Sequence, residues 1–539
     1  MEKPSRNDED EPVESPATTV NDPMQQQQHA QRTDGDNKPD AADEPLDLTR
    51  TISSSVADNL SLPREILFIG IICTAQFTTQ VGLGQALSLL HIVGAYFGIE
   101  NSPGNLSWLI SGYSLTVGSF ILIAGRFGDV FGYKRMLIIG YSWFALWTLV
   151  AGLSYYSNHV LFVFARVLQG IGPAICVPNG LAILGATYRP SNKKNMIFAL
   201  FGACAPGGAV TGVAFGALFG QIAHHWPWTF YSFAITLAIV AVVGVFVIPD
   251  PQARQEAKPL GEKIRQLDLV GGFLGITALI LINFAWNQSG VVTWHKPYVY
   301  VLLIIGILLV PVFFWWEQTK ATNPLLPYSI FTVEICFVLA LIALGWGSFG
   351  VFVYYAWNFL VVIRGITPML ASAMFAPVAV SGFIASITTG ILLSQLRPAW
   401  VMTVALSAFL AGNLLVGLAP VHQTYWGQFF VCTLVITFGM DMSFPAGTII
   451  ISDALPKDRQ GMGASLIATI VNYSIALALG FAGTVEGNVA DGDVLRGYHG
   501  AFYMGFGLAG AGLCLSLVFL ARSYIIQGRE RRKEASEKV

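Results

Sequence analysis

The sequence predicts an all-α protein that crosses a membrane fourteen times. Three observations support this fold class. First, 54% of the 539 residues are hydrophobic and only 12% are charged, which is about half the charged share of a typical soluble domain. Second, fourteen apolar segments follow one another from Ile66 onward, each near the roughly 20 residues that a helix needs to cross a bilayer. Third, connections rich in Lys and Arg alternate with connections that have few or none, as expected when successive connections lie on opposite sides of a membrane.

The fourteen apolar segments are numbered here as spans 1 to 14. Residues 1–61 precede them and are rich in Pro, Asp, Glu and Gln, which predicts a disordered tail. The spans cover approximately 66–92, 107–124, 136–154, 159–187, 195–220, 229–248, 267–287, 298–316, 332–358, 369–394, 399–419, 425–451, 461–483 and 500–521.

Basic residues indicate which connections face the cytoplasm. The connections 93–106, 155–158 and 221–228 contain no Lys or Arg, whereas 125–135 contains three and 249–266 contains four. Because cytoplasmic connections carry the excess of Lys and Arg, the basic ones are predicted to be cytoplasmic. An even number of spans then puts both termini in the cytoplasm.

Two parts of the sequence repeat. A Gly-x5-Pro-x-Gly pattern occurs in span 4 and again in span 12 at an offset of 267 residues, and a polar connection follows both copies. Two halves of like topology are typical of transporters whose halves rock about a central site. The residues that repeat are Gly172, Pro178 and Gly180 in span 4, and Gly439, Pro445 and Gly447 in span 12.

The stretch GRFGDVFGYKR, residues 125–135, places several charges between two apolar spans. Its glycines allow the turn and the neighbouring helices to approach closely. Asp129 is expected to pair with Arg126 or to accept a hydrogen bond from a helix N-terminus across the interface between the halves. Such a latch would hold one access state. Alternatively, the basic residues only fix the topology. The predicted gating residues are Gly125, Arg126, Gly128, Asp129, Gly132, Lys134 and Arg135.

Arg166 lies in the outer third of span 4. A charge inside a span costs roughly 2.5–3.5 kcal/mol, so this side chain must face a cavity or a partner. Gln169, three residues on, lies on the same helical side and is expected either to hold Arg166 or to bind substrate. In the alternative interpretation, Arg166 reaches toward the outer interface without a functional role.

Asp441 is the acid that the sequence places deepest in a span, just past the middle of span 12. Gly439 and Pro445 flank it, which allows a neighbouring helix or a water-filled cavity to come close. A carboxyl group away from water binds a proton more readily than in solution. We therefore expect Asp441 to bind a coupled proton or a cationic substrate. The alternative is a structural role between helices.

These stretches resemble a known transporter family. GRFGDVFGYKR resembles the motif G-x-x-x-D-x-x-G-R-[KR]-[KR] of the major facilitator superfamily, with Tyr133 at the usual Arg position. Residues 166–172, RVLQGIG, resemble its R-x-x-Q-G-x-G motif. The number of spans, fourteen rather than twelve, is similar to that of the drug:H+ antiporter branch. The stretches 82–94, 440–452 and 472–486 resemble the fungal aminotriazole-resistance and low-affinity ammonium transporter group, and the resemblance covers about residues 62–525.

The resemblance implies the major facilitator fold, with two six-helix halves and two extra central helices. It divides the chain into a cytoplasmic tail (1–61), an N-terminal half (62–248), a linker with two extra spans (249–330), a C-terminal half (331–525) and a second tail (526–539). It implies a proton-coupled secondary transporter that exports small organic compounds by alternating access. The alternative is a low-affinity ammonium or other small-solute permease.

The family pattern also implies where the protein acts and what it binds. It implies a monomer in the plasma membrane, or alternatively in the vacuolar membrane, whose partners are a small-molecule substrate, protons and the lipid bilayer. The six cysteines form no Cys-x-x-Cys pair and no basic domain is present, so we expect no metal site, no cofactor and no nucleic-acid binding. A multi-span enzyme or receptor is the alternative to a transporter, and we expect no enzymatic activity because the spans carry no His cluster, Ser/His pair or catalytic acid pair and because the halves repeat.

The chain departs from the antiporter branch in two spans. Span 1 carries Gln80 and Gln85 where the branch has an acid, so Asp441 is expected to replace that acid. The span 5 motif G-P-x-x-G-G aligns with residues 212–217, which keep two glycines and lack the proline. The expected hinge and packing residues are Gly170, Gly172, Pro178, Gly212, Gly216, Gly439 and Pro445.

The topology can be tested with a protease. When a tag is fused to either terminus and protease is added to intact cells, both tags should survive, because both are predicted to be cytoplasmic. A tag inserted at 221–228 serves as the control and should be cleaved. Cleavage of either terminal tag would overturn the predicted topology.

Overall fold

The structure is a computed structural model that describes residues 61–100, 102–188, 192–249, 259–455 and 460–537. Nearly all of the tail predicted at 1–61 lies outside these residues, as do residues 250–258 of the basic connection before span 7.

Within the described ranges the chain forms α-helices and no strands, which confirms the all-α class. The helices are Leu62–Phe97, Pro103–Phe131, Tyr133–Leu153, His159–Gln169, Ile171–Thr187, Asn192–Ala217, Pro227–Val247, Leu260–Gln266, Leu269–Val292, Pro297–Thr319, Val333–Asn358, Pro368–Phe375, Pro377–Gln395, Pro398–Gly417, Gln428–Ala454, Gln460–Val489 and Val494–Glu537.

Fourteen of the resulting segments are long and apolar enough to cross a membrane, as predicted. Span 4 consists of two helices that meet at Gly170, and span 10 of two that meet at Ala376. Spans 5 and 9 each end in one π-helical turn, at Leu218–Ile222 and Phe359–Ile363.

Most spans extend a few residues past their predicted ends, and in spans 8 and 13 the extension takes in an acid. Span 8 is Pro297–Thr319 and span 13 is Met462–Val489, so each gains residues at its C-terminal end. These extensions bring Glu317 and Glu486 into the spans, where both are buried. Both lie within three residues of the end of their span, so Asp441 stays the acid placed deepest in a span, but it is not the one shielded acid of the later spans.

Local sequence explains where many helices begin. A proline has no N–H to leave unbonded in the first helical turn, and its fixed φ suits that position. Side-chain caps act elsewhere, since Asn158 accepts a bond from the Leu161 N–H at 2.9 Å and Thr332 from the Ile335 N–H at 3.3 Å. The helices with proline in the first turn include those that begin at Pro103, Pro227, Pro297, Pro368 and Pro398.

Spans 1 and 5 pack backbone to backbone through glycines of span 5. A Cβ on Gly212 would lie 2.5 Å from the Val81 carbonyl oxygen, and one on Gly216 would lie 2.8 Å from that of Gln85. Such close approach gives dispersion and backbone contacts that larger residues would prevent. The small residues predicted at 212 and 216 of span 5 therefore pack against the backbone of span 1.

We call spans 1–6 the N-half and spans 9–14 the C-half. Span 7 lies between span 2 of the N-half and span 13 of the C-half. Gly272 of span 7 packs on Ile123 of span 2. Toward span 13, the Asn287 side chain donates to the Ala476 carbonyl at 3.2 Å, and the Tyr473 hydroxyl donates to that of Leu279 at 3.1 Å. Span 7 therefore contacts both halves. The domain boundaries themselves stay a prediction.

Because successive spans run in opposite directions, their connections alternate between two ends of the bundle. We call the end that holds the 125–135 turn the basic end, and the other the opposite end. At the basic end, Gly125 of span 2 faces Ser465 of span 13. At the opposite end, the His91 ring of span 1 lies 2.5 Å from the Asn358 side-chain oxygen of span 9. The two halves thus touch at both ends.

The glycine packing can be tested with one methyl group. Gly212→Ala should lower the melting temperature of the purified protein by several degrees, because overpacking of a tight contact costs about 1–3 kcal/mol. Gly202→Ala in the same helix serves as a control, since nothing lies within 4 Å of the added Cβ. Equal melting temperatures for the two variants would contradict the close contact between spans 1 and 5.

Candidate functional site

Arg166 is completely buried among four spans. Its three guanidinium nitrogens all donate hydrogen bonds. Nη1 donates to the Gln169 Oε1 at 2.5 Å, Nη2 to the Gly82 carbonyl at 2.9 Å and Nε to the Leu109 carbonyl at 3.2 Å. The structure thus brings the two predicted span 4 residues together and anchors them to spans 1 and 2.

A second layer of contacts fixes this cluster. The Tyr113 ring centroid lies 4.6 Å from the Arg166 Cζ, a cation–π arrangement, and the Tyr113 hydroxyl donates to the Thr79 carbonyl at 2.8 Å. Gln169 Nε2 donates to the Thr148 hydroxyl of span 3 at 2.6 Å. No acid among the described residues forms an ion pair with Arg166, so dipoles and a ring compensate its charge.

The span 1 glutamines lie apart from the Arg166 cluster. Gln85 is buried and faces the glycines of span 5, and its Nε2 lacks an acceptor within the described part of the chain. Gln80 is half-buried on the same face, where its Cβ is 3.1 Å from the place of a Cβ on Gly208. The Gln80 side chain and the Gln85 backbone therefore belong to the contact between spans 1 and 5.

The charged turn at 125–135 is held by its own side chains. Asp129 Oδ2 lies 4.0 Å from the Arg126 Nη1, and its Oδ1 accepts a 2.7 Å hydrogen bond from the Tyr133 hydroxyl. Tyr133, which stands where the family pattern has Arg, is thus a neutral donor to the acid. Gly132 has φ +101°, a conformation that favours glycine. Lys134 is half-buried and Arg135 is exposed.

Behind the turn, Gly128 packs against Asn179 of span 4. The Asn179 amide donates to the Ala124 carbonyl of span 2 at 3.2 Å, so it ties the end of span 2 to span 4. On the other side, a Cβ on Gly125 would lie 3.2 Å from the Ser465 hydroxyl of span 13. The turn therefore lies where the N-half meets the C-half at the basic end.

Asp441 lies where span 12 meets span 10 and span 5. Its Oδ2 is inaccessible to solvent and has no hydrogen-bond donor among the described residues. A Cβ on Gly382 of span 10 would be 3.1 Å from this oxygen and 2.5 Å from the Pro206 Cγ of span 5. The carboxylate therefore faces a contact that includes both halves.

Pro445 shapes the backbone beside Asp441. A proline within a helix cannot donate to the carbonyl four residues earlier, which here is that of Asp441. The Thr389 hydroxyl of span 10 donates to this carbonyl at 3.2 Å instead. One turn away, the Ser381 and Thr437 hydroxyls are 2.8 Å apart. The freed carbonyl is thus bonded between spans, while the carboxylate Oδ2 is not.

The repeated glycines make matching contacts in the two halves. A Cβ on Gly172 of span 4 would lie 2.5 Å from the Phe144 Cβ of span 3, and one on Gly439 of span 12 would lie 2.6 Å from the Phe409 Cδ1 of span 11. Gly170 packs in the same way on Thr116. Pro178 is accommodated within the helix Ile171–Thr187.

Sequence reasoning missed Glu486 as a buried acid. It is 6% exposed, and the Tyr355 hydroxyl of span 9 donates to its Oε2 at 2.8 Å. Tyr498 of span 14 packs against Tyr355 with ring centroids 5.4 Å apart. These partners all belong to the C-half. The predicted end of span 13 at 483 excluded Glu486.

A second missed cluster joins spans 1, 4 and 5 at the basic end. Lys193 Nζ lies 2.6 Å from the Glu65 Oε1, and the Tyr188 hydroxyl donates to the same oxygen at 2.8 Å. Burial, followed by the bond to Glu65, raises the pKa of the Tyr188 hydroxyl, so this group remains a donor. The cluster lies within the N-half and joins the ends of spans 1, 4 and 5 at the basic end.

These features agree with comparisons to known proteins. The Major Facilitator Superfamily profile matches residues 67–332. The chain is 48% identical to the low affinity ammonium transporter of Saccharomyces cerevisiae, over 89% of this chain and 92% of that protein. It is 44% identical to the efflux pump terJ of Aspergillus terreus (88% and 92%) and 38% identical to the aminotriazole resistance protein of S. cerevisiae (88% and 86%).

A solved peptide transporter POT in complex with sulfate shares the fold, with a TM-score of 0.60 at 17% identity over 85% of this chain and 94% of that chain. The chain therefore belongs to the major facilitator superfamily, and both the fold and the predicted resemblance to the fungal group are confirmed. It is a multi-pass membrane transporter.

The charged turn gives a prediction for transport. Asp129→Asn keeps an acceptor for Tyr133 but removes the charge opposite Arg126, and exposed ion pairs contribute up to about 1 kcal/mol. We expect the transport rate per surface molecule to fall about two- to fivefold. Asp491→Asn is the matched control, because this exposed acid also pairs with an arginine, Arg496, at 3.6 Å. If Asp129→Asn transports at the wild-type rate, the charged stretch only fixes the topology and does not gate transport.

Proposed function

We propose that this transporter exports small organic compounds in exchange for protons, by alternating access. The observation that carries the proposal is the buried Oδ2 of Asp441, which has no donor among the described residues. An isolated carboxylate in a membrane is costly, and binding a proton or a cation removes that cost. The similarity to efflux pump terJ supports export as the direction of transport.

The position of Asp441 suits coupling. Spans 10 and 12 belong to the C-half and span 5 to the N-half, so the Pro206 side of the contact must move when the halves rock. Separation of span 5 would admit water to the carboxylate, whereas closure returns it to an apolar environment. Since hydration favours the charged form and burial the neutral form, rocking would load and release a proton.

Other predicted residues have supporting roles in this proposal. Arg166 and Gln169 hold spans 1 to 4 together as a body that moves as one, because their bonds reach all four spans. Gln80 and Gln85 cannot titrate, so in this proposal Asp441 takes the place of the acid that span 1 lacks. The turn around Asp129 contributes a latch at the basic end. We further propose a monomer in the plasma membrane with both termini in the cytoplasm.

A second function has support of its own. The relative at 48% identity is named a low affinity ammonium transporter. In a permease for ammonium or a similar cation, Asp441 would bind the substrate itself and no proton would be exchanged. Both functions place the same carboxylate at the centre of transport, so they are separated by substrate and by pH dependence.

A growth panel distinguishes the two functions. The chain is expressed in a yeast host on plates that contain structurally diverse toxins, borate or the ammonium analogue methylammonium. An exporter should confer resistance to at least one toxin, and the resistance should need an acidic medium. A permease should instead increase sensitivity to methylammonium. Growth identical to the empty-vector control across the panel would contradict both functions.

Asp441→Asn tests the coupling role directly. The amide preserves shape and hydrogen bonding but cannot titrate, so we expect the variant to lose uphill transport of the identified substrate. Thr389→Val is the matched control, because it removes the bond to the Asp441 carbonyl and leaves the carboxylate in place. The control should keep the pH dependence of the wild type. Uphill transport with unchanged pH dependence in Asp441→Asn would show that the proton binds elsewhere.

A further inference from the structure

Two carboxyl groups meet where the extra spans 7 and 8 reach the basic end. Glu317, near the end of span 8, is 3% exposed, and Asp268 caps the first turn of span 7. Both side chains face Gly271. A Cβ on Gly271 would lie 2.6 Å from the Glu317 Oε1 and would overlap the Asp268 Oδ2. Only glycine leaves room for both oxygens.

The outer oxygen of each carboxyl group is well bonded. Asp268 Oδ1 accepts bonds from the Gly271 N–H at 2.8 Å and the Trp316 Nε1 at 3.0 Å. Glu317 Oε2 accepts one from the Leu326 N–H at 3.1 Å. These bonds fix both groups so that their remaining oxygens point toward each other.

The two facing oxygens have no donor. Asp268 Oδ2 and Glu317 Oε1 are both inaccessible to solvent and unpaired within the described residues. Two carboxylates whose facing oxygens are both shielded from water repel each other, and a proton on the buried Glu317 removes that repulsion. A single proton would give one group an O–H that donates to the other, and both unmet oxygens would be satisfied at once.

Apart from these hydrogen bonds, no cation of the described residues forms an ion pair with either acid. Lys320 and Asn323 line a cleft of about 210 Å³ beside Asp268, but no described ion pair joins Lys320 to either acid. The short helix Leu260–Gln266 carries the other nearby charges, Glu262, Lys263 and Arg265. From span 2, the apolar Ile123 packs against the adjoining Gly272.

We infer that Glu317 carries a proton and donates it in a hydrogen bond to the Asp268 Oδ2, and that this shared proton fastens spans 7 and 8 to the segment that leads into span 9. The Leu326 N–H bond attaches that segment to Glu317. Leu326 packs with Phe313 of span 8 and Leu466 of span 13, and Leu122 of span 2 lies against this cluster. The pair is therefore a proton site that controls how firmly the extra spans hold both halves at the basic end.

Thermal unfolding of the purified full-length protein in lipid nanodiscs tests the site without any transport assay. The folded state binds the shared proton and the unfolded state does not, so stability must fall as pH rises and the proton is lost. From about pH 5, where an unfolded carboxyl group has already lost its proton, up to about pH 8, we expect the wild-type melting temperature to fall by roughly 1–2 °C per pH unit and then to level off. Because Asp441 also titrates in the proposed function, the comparison is made between variants.

Glu317→Gln should remove this part of the pH dependence, because its amide donates to Asp268 at every pH. The matched control is Glu334→Gln, an exposed acid at the start of span 9, which should keep the wild-type slope. If Glu317→Gln does not fold, Asp268→Asn serves instead, since it keeps the acceptor for Gly271 and offers an N–H to Glu317. A wild-type slope in the substituted proteins would overturn the proposal.

Infrared difference spectra provide a second readout on the same samples. In the wild type, a buried protonated carboxyl band should disappear as pH rises, and Glu317→Gln should lack that band while Asp441→Asn retains it. Loss of the band only in Asp441→Asn would refute the inferred site and leave the proposed function intact. Recovery of the wild-type melting temperature at high pH by potassium or calcium would also refute it, because the pair would then bind a metal cation.

Discussion

A polar group inside a bilayer has no water to bond to, so the protein must supply its partner. Arg166 is the clearest example of this constraint, because it is completely buried and all three of its guanidinium nitrogens need acceptors. Three spans provide acceptors for its guanidinium group, and a tyrosine ring covers its face. Removal of any one partner would leave a buried donor unsatisfied, which costs about 1–3 kcal/mol. The packing of spans 1 to 4 is therefore fixed by the need to satisfy one cation.

Glycine packing is the second consequence of the same constraint. Since the hydrophobic effect does not drive helices together in lipid, they associate through close contact and hydrogen bonds. Gly212 lets span 5 approach the backbone of span 1, and Gly118 lets span 2 approach that of span 13 at Tyr473. The contact between Gly118 and Tyr473 joins the two halves near the middle of spans 2 and 13. Spans 2 and 13 are thus a natural place for the halves to pivot.

Hydropathy was sufficient to predict the number of spans, because a run of some 20 apolar residues has few other uses. It failed at the ends of spans 8 and 13 for a physical reason. A sequence window ends an apolar segment at the first acid, yet Glu317 and Glu486 remain helical and buried because distant residues bond to them. Those donors, the Leu326 N–H and the Tyr355 hydroxyl, are brought close only by tertiary packing.

The candidate site was partly predictable for a similar reason. Arg166 and Gln169 are three residues apart on one helix, so their contact follows from helical geometry. The substitution of Tyr for Arg at position 133 obscured the bond to Asp129, because no sequence pattern shows that a phenol there points at the acid. Likewise, the sequence identified Pro206 only as part of a small-residue surface at 205–208, because the motif was aligned at residues 212–217. Its contact with Gly382 and Asp441 arises from the meeting of spans 5 and 10.

Among the described residues of the later spans, the buried Glu317 and Glu486 and the half-buried Asp441 differ in what surrounds them, and that difference separates their roles. Glu486 receives a bond from a tyrosine of its own half, so movement of the N-half leaves its partner in place. Glu317 faces another carboxyl group at the end of an added span. Asp441 alone among the three faces span 5, where the two halves meet. When the two halves move relative to each other, the solvation of an acid changes only if that acid lies where the halves meet. The geometry of the described residues therefore favours Asp441 over Glu486 as the group through which rocking and protonation are linked.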